Sequence, residues 1–196
     1  MSLKNLLEEN GLSFSDEFYK DIEVFIADLQ TWGKIHNLSG NLSIESIYEN
    51  ILDSLYPLKF MDYMKDYESF ADIGTGAGYP GLVLAIALKN VKSHLIEPRI
   101  KRVSFLNLIK AKLKLDNLTI HCKRVENVND LEVDLITSRA VTNTSLLVDI
   151  TKNIKKENSS YLFYKGSMLE SELQEADVNN YEVHERKDRN YLYIKG

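Results

Sequence analysis

Apolar residues in the first third of the chain recur at helical intervals; beyond residue 66 they gather into short runs that alternate with helical stretches. Leu3, Leu6 and Leu7 predict a short helix over Leu3–Glu9, stopped at Gly11. Ser15 then precedes Phe18, Ile22, Phe25, Ile26, Leu29 and Trp32, which share one face of a helix from about Asp16 to Ile35. Asp16 and Glu17 sit in its first turn, where they complement the helix dipole. Residues 37–43 are polar and turn-like, and Ile44, Ile47, Tyr48, Ile51, Leu52 and Leu55 predict a third helix up to Pro57.

The later pattern predicts strands at Ser69–Ile73, Ser93–Ile96, Leu118–Cys122, Val133–Thr137 and Tyr161–Tyr164. Between them lie helices at Gly81–Lys89, Lys101–Leu113, from about Ser145 to Ile154, and near Met168–Ala176. Tyr181–His184 and Tyr191–Ile194 close the chain as an antiparallel hairpin around a polar turn. Such alternation builds a mostly parallel sheet of about seven strands with helices on both faces, because right-handed crossovers place them there. The expected organisation is α/β: an amino-terminal helical extension, residues 1–65, and a Rossmann-like domain, residues 66–196.

Composition narrows the functional classes. An apolar fraction of 44% suits a globular core, and no uncharged apolar run approaches the roughly 18 residues of a membrane span. The amino terminus does not read as a signal peptide, so a soluble, cytoplasmic protein is expected. His36, His94, His121 and His184 lack metal-ligand spacing and Cys122 has no cysteine to pair with, so neither metal nor disulfide is expected. Cys122 reads as packing within its strand. The net charge of −5 offers no global attraction to nucleic acid, although a local basic face remains possible.

The segment Asp72-Ile-Gly74-Thr-Gly76-Ala-Gly78-Tyr79-Pro80-Gly81 follows the first strand and opens a helix, the arrangement of a nucleotide-binding loop. The glycines match a loose dinucleotide pattern, but a pyrophosphate beside Asp72 would be repelled. S-adenosylmethionine carries an ammonium and a sulfonium and no phosphate, so the acid favours the methyl donor. Glu97 ends the second strand 21 positions after Gly76, where a carboxylate accepts ribose hydroxyls. Val125 and Glu126 follow the third strand, in place for the adenine edge.

Together these residues resemble the bacterial 16S ribosomal RNA guanine-N7 methyltransferase family, also called glucose-inhibited division protein B. The markers span nearly the whole chain: Trp32-x-Lys34-x-x-Asn37-Leu38-Ser39, Ile51-Leu52-Asp53-Ser54-Leu55, the glycine loop, Lys101-Arg102-x-x-Phe105-Leu106, Arg124-Val125-Glu126, Ser138-Arg139-Ala140 and Lys165-Gly166. The resemblance implies a class I S-adenosylmethionine-dependent methyltransferase that forms 7-methylguanosine in 16S rRNA or a small-subunit precursor, acting as a monomer. It also implies cofactor contacts around Gly74, Tyr79, Val125, Glu126 and Arg139. The chain departs from the family pattern at Asn50, where a histidine is usual, and at Tyr79, where an aliphatic residue is common.

Guanine N7 has a lone pair and no proton, so its methylation needs positioning and no general base. The chain accordingly lacks the Asn/Asp-Pro-Pro-aromatic motif of exocyclic-amine methylation and has Thr137-Ser138-Arg139-Ala140 at that place. Candidate catalytic residues are Arg139, whose guanidinium suits guanine O6, phosphate or cofactor; Lys165, for phosphate or base; and Asp53, for the guanine N1 and N2 donors. For Arg139 and Lys165 the alternative is a surface ion pair, and for Asp53 an ordinary helix-surface position. Lys101, Arg102, Lys110, Lys112, Lys114, Lys123 and Arg124, with Lys34, His36 and Asn37, are candidates for RNA docking, and a solvated helix face explains the lysines of the Lys101–Leu113 helix equally well. A small-molecule or protein methyltransferase, and a non-catalytic nucleoside-binding module, stand as the other readings.

Overall fold

The computed structural model describes all residues except 37–39, 62, 63, 65 and 177, and leaves out the side chains of His36 and Glu175. Three helices come first: α1 (Leu3–Glu9), α2 (Asp16–His36) and α3 (Ile44–Leu55). Each begins at a serine whose hydroxyl accepts an early backbone N–H of its helix, Ser2 from Asn5, Ser15 from Phe18 and Ser43 from Ser46. There follow β1 (Ser69–Ile73), α4 (Gly81–Ala87), β2 (Lys92–Ile96), α5 (Ile100–Leu113), β3 (Leu118–His121) and β4 (Val133–Arg139). The chain ends with α6 (Thr144–Ile150), β5 (Lys155–Lys165), α7 (Leu169–Ala176), β6 (Tyr181–Arg186) and β7 (Arg189–Ile194).

The seven strands form one sheet in the order β3-β2-β1-β4-β5-β7-β6. β1 to β5 pair in parallel, and β7 runs antiparallel to both β5 and β6. From β1 the order grows outward in both directions, to β2 and β3 on one side and to β4 and β5 on the other. Such a reversal opens a crevice beyond the carboxyl ends of β1 and β4, where ligands of open α/β sheets bind.

All five residues of β1 are buried, as expected of a central parallel strand covered on both faces. Phe70 joins the apolar cluster that also contains side chains of α1 to α5, whereas Ala71 and Ile73 join the one containing Leu147 of α6 and Leu169 of α7. The amino-terminal helices therefore bury their apolar faces in the same cluster as α4 and α5. Phe25 of α2 packs against Phe105 of α5, with ring centroids 6.1 Å apart. Three ion pairs tie α2 to the layer of α4 and α5: Lys89, just past α4, with Glu17 and Asp21, and Lys112 of α5 with Asp28.

Several boundaries differ from the sequence expectation. β4 runs to Arg139, two residues beyond Thr137, because Ser138 and Arg139 pair with Phe163 and Tyr164 of β5. β5 starts at Lys155, and the register shift between Val133 and Leu135 absorbs its polar first half. α6 stops at Ile150, and a short 3-10 turn, Lys152–Ile154, replaces its expected end. The core placement of Cys122 is corrected: β3 ends at His121, and Cys122 lies exposed just past the ladder. No described helix is long and apolar enough to cross a membrane.

Candidate active site

A cleft of about 380 Å³ opens at the carboxyl ends of β1, β2 and β4, with Gly74, Glu97, Arg102, Val125, Glu126 and Ala140 among its lining residues. The loop after β1 reaches it because Gly74 and Gly76 hold φ angles of +69° and +61°. A side chain at Gly74 would be strained there, and its Cβ would lie 2.6 Å from a Val141 methyl. Ala140 is itself left-handed at φ +55°, which turns the chain sharply out of β4 beside the cleft.

Glu97 is 2% exposed and braces the cleft wall. Its Oε2 accepts the Gly76 N–H at 3.0 Å and Arg102 Nη1 at 3.4 Å, while Oε1 accepts the Arg99 N–H at 2.9 Å. Oε1, with one bond, keeps acceptor capacity, so a ribose hydroxyl remains compatible with it. The turn carrying Val125 and Glu126 is fixed by Asn153 Nδ2, which donates to the Val125 carbonyl at 2.9 Å. The lining combines apolar Ile73, Ile96 and Val141 with the acids Glu97 and Glu126 and the bases Arg99, Arg102, Lys123 and Arg124, a mixed apolar and polar wall of the kind that holds a nucleoside.

Other sequence candidates are placed differently. Asp72 is fully buried and faces inward; its Oδ2 accepts the Gly81 N–H at 2.9 Å and its Oδ1 the Thr137 hydroxyl at 2.9 Å. Burial raises its pKa to about 6 despite these bonds. This corrects the expectation of a direct cofactor contact: Asp72 joins the start of α4 to β1 and β4, which holds the loop in shape. Gly81 serves the same junction, since a Cβ there would come within 2.6 Å of the Asp72 side chain. Gly78 packs on Leu82 of α4 and does not line the cleft. Tyr79, 5% exposed, also lies outside the lining, edge-on to Phe25 and under Arg139.

Arg139 leaves the end of β4 toward α3. Its Nη1 donates to Asn50 Oδ1 at 2.8 Å and to Asp53 Oδ2 at 3.1 Å, and its guanidinium carbon lies 5.0 Å from the centre of the Tyr79 ring. Asp53, 7% exposed, also accepts Arg189 Nε and the Tyr191 hydroxyl on Oδ1, each at 3.0 Å. Burial, and then Asp53, push the Tyr191 phenol well above its usual pKa. Asp53 is therefore not a helix-surface acid: Oδ1 is taken up by the β6–β7 hairpin and Oδ2 by Arg139, so the carboxylate orients both. Arg189 and Tyr191 went unrecognised in the sequence, where the signal was indirect: an acid on the apolar face of α3 requires buried partners.

Lys165 is also corrected. It is 6% exposed, and its Nζ donates to Glu172 of α7 at 2.7 Å and to the Thr142 carbonyl at 3.1 Å. Glu172 in turn accepts the Thr144 N–H and hydroxyl, so Lys165 fastens α7 to the loop after β4. Of the basic residues considered for RNA, Lys112 is paired with Asp28 and Arg102 with Glu97, while Lys123 and Arg124 line the cleft. Asn37 and the side chain of His36 lie outside the described residues. A second hollow, of about 310 Å³, opens between α3 and the hairpin turn, lined by Glu49, Asn50, Asp53, Arg186, Lys187 and Arg189 among others. Arg139 is linked to both cavities through its neighbours: Ala140, next in the chain, lines the first, and its partners Asn50 and Asp53 line the second.

The sequence is 73% identical to the ribosomal RNA small subunit methyltransferase G of Aliarcobacter butzleri, covering 99% of this chain and 98% of that protein. It is 42% identical to the protein of the same name from Wolinella succinogenes, covering 100% and 98%. Among solved structures the fold is similar to the SAM-dependent O-methyltransferase of Thermotoga maritima, with a TM-score of 0.61 and 16% identity over 87% of this chain and 70% of that one. It is likewise similar to the ribosomal protein L11 methylase of Lactobacillus delbrueckii subsp. bulgaricus, with a TM-score of 0.59 and 15% identity over 80% and 79%. The fold is thus that of class I S-adenosylmethionine-dependent methyltransferases, and the family described as rRNA small subunit methyltransferase G matches residues 19–195. With that match and those relatives, the chain belongs to the rRNA small subunit methyltransferase G family.

Proposed function

We propose that the protein transfers the methyl group of S-adenosylmethionine to N7 of a guanine in 16S rRNA, as a cytoplasmic monomer acting on the RNA or a small-subunit precursor. The observation that carries this reading is that Arg139, followed in the chain by a residue of the nucleoside-sized cleft, binds two side chains of a polar hollow, in a chain so close to named rRNA methyltransferases. S-adenosylmethionine supplies an electrophilic methyl group when bound. Gly74, Glu97, Val125 and Glu126 are the residues that would hold it. The hollow beside the partners of Arg139 is the side from which the base approaches, and α3 of the 1–65 extension forms one of its walls.

The engagement of the polar groups fits the chemistry. Asp53 and Lys165 are consumed by internal partners, so neither is poised to remove a proton, and N7 alkylation requires no such removal. Arg139 meets a substrate oxygen, O6 or phosphate, because donation to the attacking N7 lone pair would oppose the reaction.

Labelled S-adenosylmethionine, incubated with undermodified small-subunit rRNA, naked and assembled, followed by nucleoside analysis, tests the reading. The expected product is 7-methylguanosine. Label on another nucleoside, on a protein or on a metabolite excludes it, and donor binding without any transfer points to a binding module. Sedimentation at assay concentration tests the monomer.

A further inference from the structure

We propose that Tyr79 is a positioning residue for Arg139, acting through the face of its ring and not through its hydroxyl. The proposal rests on the methyl-transfer reading above. Hydrogen bonds from a single guanidinium nitrogen constrain the plane less than a two-nitrogen fork does, and an aromatic face supplies a further constraint. Asn50 and Asp53 hold one edge, since both bonds leave from Nη1. Tyr79 offers its ring face to the cation, with the guanidinium carbon over the ring and 5.0 Å from its centre. The ring is itself fixed by Phe25 of α2, edge-on at 5.7 Å and 78°. With the plane set, Nε and Nη2 have no protein partner among the described residues and remain for an oxygen acceptor of the RNA, a base carbonyl or a phosphate.

The hydroxyl has no part in this. It is buried without a hydrogen-bond partner among the described residues, and an orphaned polar group lowers stability. The ring face, by contrast, meets a cation that is largely removed from water, where the attraction is strongest.

The test compares Tyr79→Phe with Tyr79→Met, which keeps apolar bulk but has no aromatic face. Tyr79→Phe is expected to retain the wild-type rate of 7-methylguanosine formation, and Tyr79→Met to lose about 10-fold in kcat/KM for rRNA with donor affinity unchanged. In an Arg139→Ala background, Tyr79→Met should cost nothing further. Equal impairment of the Phe and Met variants, or a full additional loss in that background, would overturn the proposal. A near-isosteric series, phenylalanine, 4-fluorophenylalanine and 3,5-difluorophenylalanine at position 79, decides the matter even if the Met variant does not fold. The rate should fall stepwise as fluorine drains the ring face, and a flat series refutes the role. The wild-type control separates the two ideas: a missing trend beside an active wild type removes only Tyr79's role, whereas an inactive wild type overturns the methyl-transfer reading and this proposal with it.

Discussion

Arg139, at the end of β4, donates to Asp53 of α3 across 3.1 Å, and this bond joins the sheet to the amino-terminal helices at the edge of the active site. Asp53 also holds Arg189 and Tyr191 of the closing hairpin, so one carboxylate organises three separate parts of the chain.

Removing that carboxylate leaves two guanidinium groups and a phenol without their shared acceptor. Asp53→Ala should lower unfolding stability by about 3–5 kcal/mol, the usual cost of taking one partner from a buried pair. Urea denaturation measures the loss, and rRNA methylation should fall with it while donor titration gives the same affinity. A variant as stable as the parent would mean that the network is not holding α3.

Asn50 accepts from Arg139 through an amide that does not titrate. Asn50→His should support activity near pH 8, where a neutral imidazole nitrogen accepts the same bond. Below about pH 6.5 the imidazolium repels the guanidinium, so the variant's pH–rate profile should gain an acidic limb absent from the parent. Superimposable profiles would show that this contact does not set the rate.

Gly74 combines a left-handed backbone with a methyl group of Val141 close by. Gly74→Ala should cost about 1–2 kcal/mol in stability from the backbone alone and weaken donor binding as Val141 is displaced. Gly74→Asp should abolish binding in calorimetric titration. Retained affinity in the Asp variant would place the cofactor elsewhere.

Asp72 provides a pH test of the loop's foundation. Its folded-state pKa of about 6 lies above the ordinary aspartate value of 3.8, so between these values the folded protein binds more protons than the unfolded chain. Stability from this residue is therefore fully present below pH 3.8 and is lost as pH rises through 6, with a span of about 3 kcal/mol. Relative to Asp72→Asn, the parent should gain stability as pH falls from 7 to 5 in chemical denaturation. An unchanged difference over that interval would show that Asp72 is ionised throughout.

Much of the architecture was legible in the sequence because it is written in local periodicity. The change from helical spacing to short apolar runs near residue 66 reflects which face of each element is covered, and seven strands follow from it. The glycine loop was equally legible, since positive φ at Gly74 and Gly76 leaves a direct trace in residue type. Glu97, Val125 and Glu126 fell into the cleft as expected because strand ends bring their following residues to one edge of a parallel sheet.

The sequence by itself thus determined the order of helices and strands, the loop that opens the cleft and the family to which the chain belongs. Tertiary structure alone decided the partners of the polar groups. Asp53 meets residues 86, 136 and 138 positions away, Lys165 turns to Glu172 and the loop after β4, Asp72 points inward to Gly81 and Thr137, and Cys122 lies outside the core. Periodicity encodes whether a side chain is buried, but a buried charge is satisfied by whichever groups strand order and register bring within hydrogen-bond distance. For Arg139 those groups came from α3 and the loop after β1, elements that only the folded chain brings to the end of β4.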